Sequence, residues 1–231
     1  MDLLWQGLQQ AAVMMFHNRE VWAITWLTLE VTFAATLLSL ILGIPLGTWL
    51  ALTAFPGRKF LMALVNTGMG LPPVVVGLFV CLMLWRSGPL GSLHLIYTPT
   101  AIVIAQFVIA CPIITGLTVS AIEQLNPRLR LQLLGLGASR SQLLWTLWRE
   151  ARLPLLAAVM AGYGGVISEV GASMMVGGNV RGHTRVLTTA TVLETSKGNF
   201  AAAMALGMLL LLLAFIVNGM LTHLQQRRSP S

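Results

Sequence analysis

Charge is almost absent from five long windows of this 231-residue chain, and that absence limits its fold more than any other feature. Counting Asp, Glu, Lys and Arg, 27 residues separate Glu30 from Arg58, 26 separate Lys59 from Arg86, and 36 separate Arg86 from Glu123. A further 29 separate Lys197 from Arg227, and the 28 between Arg152 and Arg181 are interrupted only by Glu169. Each window exceeds the 20 or so apolar residues that cross a hydrocarbon core about 30 Å thick. Only 9% of the chain is charged, against roughly 25% in an ordinary soluble domain. The expected fold is an all-α polytopic membrane protein with five transmembrane helices near residues 22–53, 60–85, 98–122, 153–178 and 200–223. The same count excludes a soluble enzyme, a disordered tail and a disulfide scaffold.

The remaining charges orient the spans. Five crossings put Arg58, Lys59, Arg128, Arg130, Arg140, Arg149, Arg152, Arg227 and Arg228 on one side, and Arg19, Arg86, Arg181, Arg185 and Lys197 on the other. The richer side is expected in the cytoplasm, with the C-terminus. The net charge of +7 is scattered between spans and not gathered on one soluble face, so nucleic acid is not an expected partner; membrane lipid is. Three parts follow: an extracytoplasmic N-terminal segment (1–21) with amphipathic spacing, a transmembrane domain (22–223) and a cytoplasmic tail (224–231). Cys81 and Cys111 lie inside apolar windows and read as small packing residues.

Some spans are interrupted. In the first, Gly43 and Gly47 around Pro45 permit close helix approach, and packing is the simplest account. In the second, Gly70, Leu71, Pro72 and Pro73 break the helix, because proline lacks an amide donor and disfavours helix before it. Backbone groups freed at that depth survive only in protein or beside a wet cavity, so a discontinuous helix lining a transport path is expected. Glu169 is costly in a membrane and is expected to be paired or neutral, holding a gate or a subunit interface.

Catalytic parts are missing. Neither Lys59 nor Lys197 stands in a phosphate-binding loop, the four histidines are far apart in sequence, and the only aspartate is Asp2. The chain is not expected to be an enzyme, to bind a metal or to hydrolyse ATP itself.

The segment 123–152 joins the third and fourth spans. Asn126-Pro127 ends one helix, and Ser139 with Gln142 three residues on forms a capping box that opens another. Leu143, Leu144, Leu147, Trp148 and Ala151 share its apolar face, which fits either a helix lying on the membrane or one docked on a cytosolic partner.

Leu136-Gly137-Ala138-Ser139-Arg140, followed by Arg152-Leu153-Pro154, resembles the coupling loop of ABC importer permeases, whose signature reads E-A-A, three residues, G, nine residues, I-x-L-P. Leu131, Gln132 and Leu133 stand at the E-A-A positions, and Pro154 comes four residues later than the pattern. Gly70 to Leu78 is similar to the L-P-P-V-V-x-G block of the molybdate and tungstate branch. Ile167 to Ala172, Gly177-Gly178-Asn179 and Thr184 to Ala190 resemble its post-coupling segment, most like the tungstate members.

The resemblance implies a type I ABC importer fold in a prokaryotic inner membrane. It implies a permease that carries tungstate or a closely related tetrahedral oxyanion into the cytoplasm, with a molybdate or sulfate permease as the alternative, acting as a homodimer with a cytosolic ABC ATPase dimer carrying ATP and Mg and an extracytoplasmic oxyanion-binding protein. Leu136, Gly137, Ala138, Ser139, Arg140 and Gln142 would couple to the ATPase. Gly70, Pro72, Pro73, Gly77, Glu169 and Gly171 would form the path or gate. Asn179, Arg181, Thr184, Arg185, Thr188 and Thr189 join cations to hydroxyl donors, a combination suited to a tetrahedral anion outside the membrane. A stand-alone channel or secondary carrier would explain the spans but not the coupling-like loop.

Overall fold

The computed structural model describes residues 19–226; the N-terminal amphipathic stretch, and Arg227 and Arg228 of the tail, lie outside the described residues. Helix α1 (Arg19–Leu52) is the first span. A bent pair, α2 (Arg58–Met69) and α3 (Pro73–Leu84), forms the second, with 106° between its halves. A 3-10 turn (Gly91–Leu93) leads to α4 (Pro99–Glu123), the third span. Two short helices follow, α5 (Pro127–Gly135) and α6 (Arg140–Glu150). A second bent pair, α7 (Arg152–Ile167) and α8 (Gly171–Gly177), turns by 58°. Helix α9 (Leu187–Ser196) and the last span, α10 (Phe200–Gln226), complete the described chain. Among the described residues three helices are long and apolar enough to cross a membrane, and up to five spans result when each bent pair counts as one.

Helix α4 is the central post, with Ala101, Ile102, Ala105 and Ile114 fully buried. Helix α1 packs along it through the glycine pair noted in the sequence. A Cβ at Gly47 would lie 2.6 Å from the Thr115 carbonyl oxygen, and one at Gly43 3.1 Å from an Ile114 methyl. Only glycine lets the two backbones approach so closely. Thr25, Thr28, Ser39 and Thr48 of α1 donate to carbonyls four residues back at 2.7–2.8 Å, which satisfies their hydroxyls without water.

Tryptophans set the membrane level. Trp22 and Trp26 are exposed near the start of α1, and Trp49 near its end. The 23 helical steps from Trp26 to Trp49 rise about 35 Å, close to the hydrocarbon thickness, and indole rings favour both of its boundaries.

Candidate functional site

The second and fourth spans bend and their second halves meet, whereas the first, expected from its sequence to be interrupted, runs unbroken through Pro45. A Cβ on Gly77 would sit 2.5 Å from the Ala172 Cα, and one on Gly171 2.6 Å from a Val74 methyl. Gly77 and Gly171 are therefore the points where α3 and α8 cross with backbone almost touching. At the first break Pro72 is the N-cap and Pro73 the first residue of α3, where a missing N–H costs nothing because that amide has no intrahelical acceptor. The Pro72 carbonyl accepts from Val75 N and Val76 N, and Gly70 N donates to Thr67 O. Gly70, Leu71, Pro72, Val74 and Val75 are exposed in the single chain.

The second break falls at residues 168–170. Glu169 is 7% exposed, and its Oε1 accepts a 2.8 Å bond from Ala172 N, capping α8. A carboxylate at a helix start meets unpaired N–H groups and the positive end of the helix dipole, and so tolerates burial. The carbonyls left over at the end of α7 are also satisfied. Ser168 Oγ donates to Gly164 O, and Gln106 Nε2 reaches across from α4 to Val166 O at 3.3 Å. Gln106 escaped the sequence reading; its signal was a lone amide side chain deep in the third charge-free window.

The outer residues form two groups. Asn179, Arg181 and Arg185 come together, but around Glu20 at the head of α1. Arg181 pairs with both Glu20 carboxylate oxygens, Arg185 Nη1 lies 3.4 Å from Glu20 Oε1, and Arg185 Nε donates to Asn179 Oδ1. The Glu20 carboxylate holds the Arg181 guanidinium above its ordinary pKa, mainly through this hydrogen bond. Thr184, Thr188 and Thr189 are buried with their hydroxyls engaged. Thr184 Oγ1 accepts from Val180 N and donates to Gly177 O, and Thr189 Oγ1 bridges Val186 N and Val186 O. Thr188 Oγ1 donates to the Glu169 carbonyl at 2.9 Å, tying α9 to the second break. Glu20 was missed because only the folded chain places it opposite the loop.

On the other side, α5 and α6 form a hairpin through Leu136, Gly137 and Ala138. Gly137 has φ +78°, a left-handed conformation that glycine adopts without the clash a Cβ would bring. Ser139 and Gln142 form the expected capping box, with Ser139 N donating to Gln142 Oε1 at 2.8 Å and Gln142 N to Ser139 Oγ at 3.3 Å. The apolar face of α6 packs on the protein itself: Leu143 and Leu147 are buried with Ala121, Ile122 and Leu155. Leu136 is 84% exposed at the tip, and Trp145 and Leu131 are exposed beside it.

Polar contacts join this hairpin to α1. Trp148 Nε1 donates to Thr48 Oγ1 at 2.9 Å, and Arg130 Nη1 to Leu52 O at 3.0 Å. Arg58 Nε donates to Leu50 O at 2.8 Å and pairs with Glu123. Arginine donors thus cap carbonyls at the end of α1 that have no intrahelical partner.

Two bent apolar helix pairs whose second halves cross backbone to backbone, together with a helical hairpin clasped to the first span and bearing exposed apolar side chains, fit a membrane permease subunit. Residues 43–230 match the family described as binding-protein-dependent transport system inner membrane component, and the chain belongs to that family. It is 38% identical over 210 residues to a probable anion ABC transporter permease protein of Haloferax volcanii, covering 89% of this chain and 90% of that one. It is 35% identical over 227 residues to the tungstate uptake system permease protein of Peptoclostridium acidaminophilum, covering 98% of this chain and 100% of that one. The fold is similar to that of a bacterial ABC transporter involved in the import of the acidic polysaccharide alginate, with TM-score 0.80 and 16% identity over 96% of this chain and 84% of that one. The motif resemblance and the all-α permease fold expected from the sequence are borne out.

Proposed function

We propose that this chain is the membrane-spanning permease of an ABC importer that carries tungstate, or a closely related tetrahedral oxyanion, into the cytoplasm. The observation that carries this reading is the pair of broken spans crossing at Gly77 and Ala172, in a chain alike over nearly its full length to a tungstate permease. The exposed start of α3 at Pro72 to Val75 supports an anion path, because a helix start inside the bilayer offers a positive dipole end to an anion.

The chain supplies no catalysis of its own. ATP and Mg belong to a cytosolic ATPase dimer docked on the residues around Gly137, with the exposed Leu136 at the contact. The C-terminus is cytoplasmic, as the basic side requires. Two copies pair about an axis that brings the α3 breaks together, and ATPase closure rocks them between outward and inward states. An extracytoplasmic binding protein delivers the anion to the outer side, where the Glu20, Arg181 and Arg185 cluster braces α1 against the loop that follows α8.

Uptake of tungstate into vesicles carrying the permease, its ATPase and its binding protein tests the reading, with molybdate and sulfate as competitors. Uptake is expected to require ATP, and Gly137→Asp to abolish it while leaving the protein in the membrane. Uptake driven by an ion gradient with no ATPase present would falsify the proposal.

A further inference from the structure

A cleft of about 570 Å³ opens between the end of α1, α5 and α6. Its walls are apolar, with Pro45, Trp49, Leu143 and Trp148 among them, and Arg130 and Arg140 are its only charged lining residues. Arg140 has no hydrogen-bond or ion-pair partner among the described residues. Arg130 spends one N–H on the Leu52 carbonyl, while a guanidinium carries five donors. Glu123, which lines the neighbouring cleft, is engaged by Arg58.

The position of the cleft selects among anions. Trp49, exposed near the end of the first span, lines the cleft, and indole rings favour the membrane boundary, so a bilayer around this span would put the apolar walls near its acyl chains and the arginines near its headgroups. A soluble anion would have no use for the apolar walls, and a wholly apolar ligand none for two cations. With the orientation proposed above, on which this inference rests, the cleft opens to the cytoplasmic leaflet, whose anionic lipids attract basic groups near the surface.

We propose that this cleft is a binding site for an anionic phospholipid, with Arg130 and Arg140 on the phosphate and the Trp49–Trp148 wall along an acyl chain. A lipid seated there touches α1, α5 and α6 together. It would add to the Arg130–Leu52 and Trp148–Thr48 bonds that join the hairpin to the first span, making hairpin stiffness sensitive to membrane composition.

Native mass spectrometry of the purified full-length permease, with phosphatidylglycerol and phosphatidylcholine offered in equal amounts, tests the site without reference to transport. Retention of phosphatidylglycerol over phosphatidylcholine is expected, falling about fivefold in Arg140→Gln and again in the double variant with Arg130→Gln. Arg140→Lys, which keeps the charge, should retain most of the preference. Arg128→Gln, exposed outside the cleft, serves as the control and should change little. Equal retention of both lipids overturns the proposal, as does an equal loss in the Arg128 control. Competition by millimolar glycerol phosphate as effective as by the lipid also overturns it, since the apolar walls would then be idle. Release of the lipid on assembly with the ATPase assigns the cleft to that protein instead. Because no uptake is measured, a negative result leaves the permease reading standing, and failed uptake leaves the lipid result standing.

Discussion

The crossing of α3 and α8 is sharp enough to predict. A Cβ added at Gly77 would lie 2.5 Å from Ala172 Cα, 3.0 Å from Ala172 Cβ and 3.3 Å from Ala172 N. Non-bonded carbons favour roughly 3.5–4.0 Å, so Gly77→Ala must push the half-helices apart by about 1 Å. The obstructing atom is backbone, and no rotamer change removes it. Forcing a methyl into a packed interior costs about 1–3 kcal/mol, which moves an equilibrium between two packings by roughly 5- to 150-fold. Thermal unfolding of the detergent-solubilised protein and ATP-dependent uptake should both fall in Gly77→Ala. Ala172→Gly should restore little, because it removes the Cβ at 3.0 Å and leaves the Cα at 2.5 Å. Gly164→Ala, with nothing within 4 Å of its new Cβ, should behave like the parent. The packing argument fails if Gly77→Ala unfolds and transports like the parent, or if Ala172→Gly rescues it fully.

Three further outcomes are expected. Glu169→Gln should keep nearly full stability, since an amide oxygen can accept the same bond from Ala172 N, whereas Glu169→Ala should lose about 1 kcal/mol of capping in thermal unfolding; equal damage from both would show that the charge matters and not the cap. Trp148→Phe and Thr48→Val each remove the bond between α6 and α1 at about 1 kcal/mol, so the double variant in a stability cycle should be clearly less damaged than the sum of the two, and strict additivity would contradict a direct bond. The Lys197 hydrogen bond holds the Glu194 carboxyl below its ordinary value of 4.5; burial opposes it, and Asn199 adds a weaker lowering bond. A lowered native pKa means that this contribution is fully present above about pH 4.5 and is lost as pH falls through the native value. Hydrogen-exchange protection in residues 194–203, taken relative to the intrinsic rate at each pH, should therefore fall at acidic pH and in high salt, and Glu194→Gln should flatten the pH response.

Much of the architecture was written in local chemistry. Charge spacing located the five spans, because a hydrocarbon core excludes charge whatever the helices pack against. Proline and glycine placed the first break at residues 70–72, since a missing N–H acts within one turn of its own position. Ser139 and Gln142 announced their helix start for the same reason: both partners lie three residues apart in one chain. The second break was legible only in part. Glu169 was seen as an acid needing a partner, but that its partner is the backbone of its own next helix depended on where α7 ended.

Tertiary structure decided what each exposed-looking group touches. Sequence alone determined that this is a helical membrane protein of up to five spans with a broken second span and a basic inter-span segment, because periodicity, charge and proline act over a few residues; the permease reading rested on the resemblance of its motifs. It did not determine that Glu20 would hold the outer arginines, that Thr184 and Thr189 would spend their hydroxyls on nearby backbone, or that Leu143 and Leu147 of α6 would bury against Ala121 and Leu155. Glu20 and Arg181 stand 161 positions apart, as Thr48 and Trp148 stand 100 apart, and no local rule reaches so far. Those pairings were fixed only when the glycines of α1, α3 and α8 let their backbones close to contact, setting which surfaces remain for an anion, a lipid and a partner.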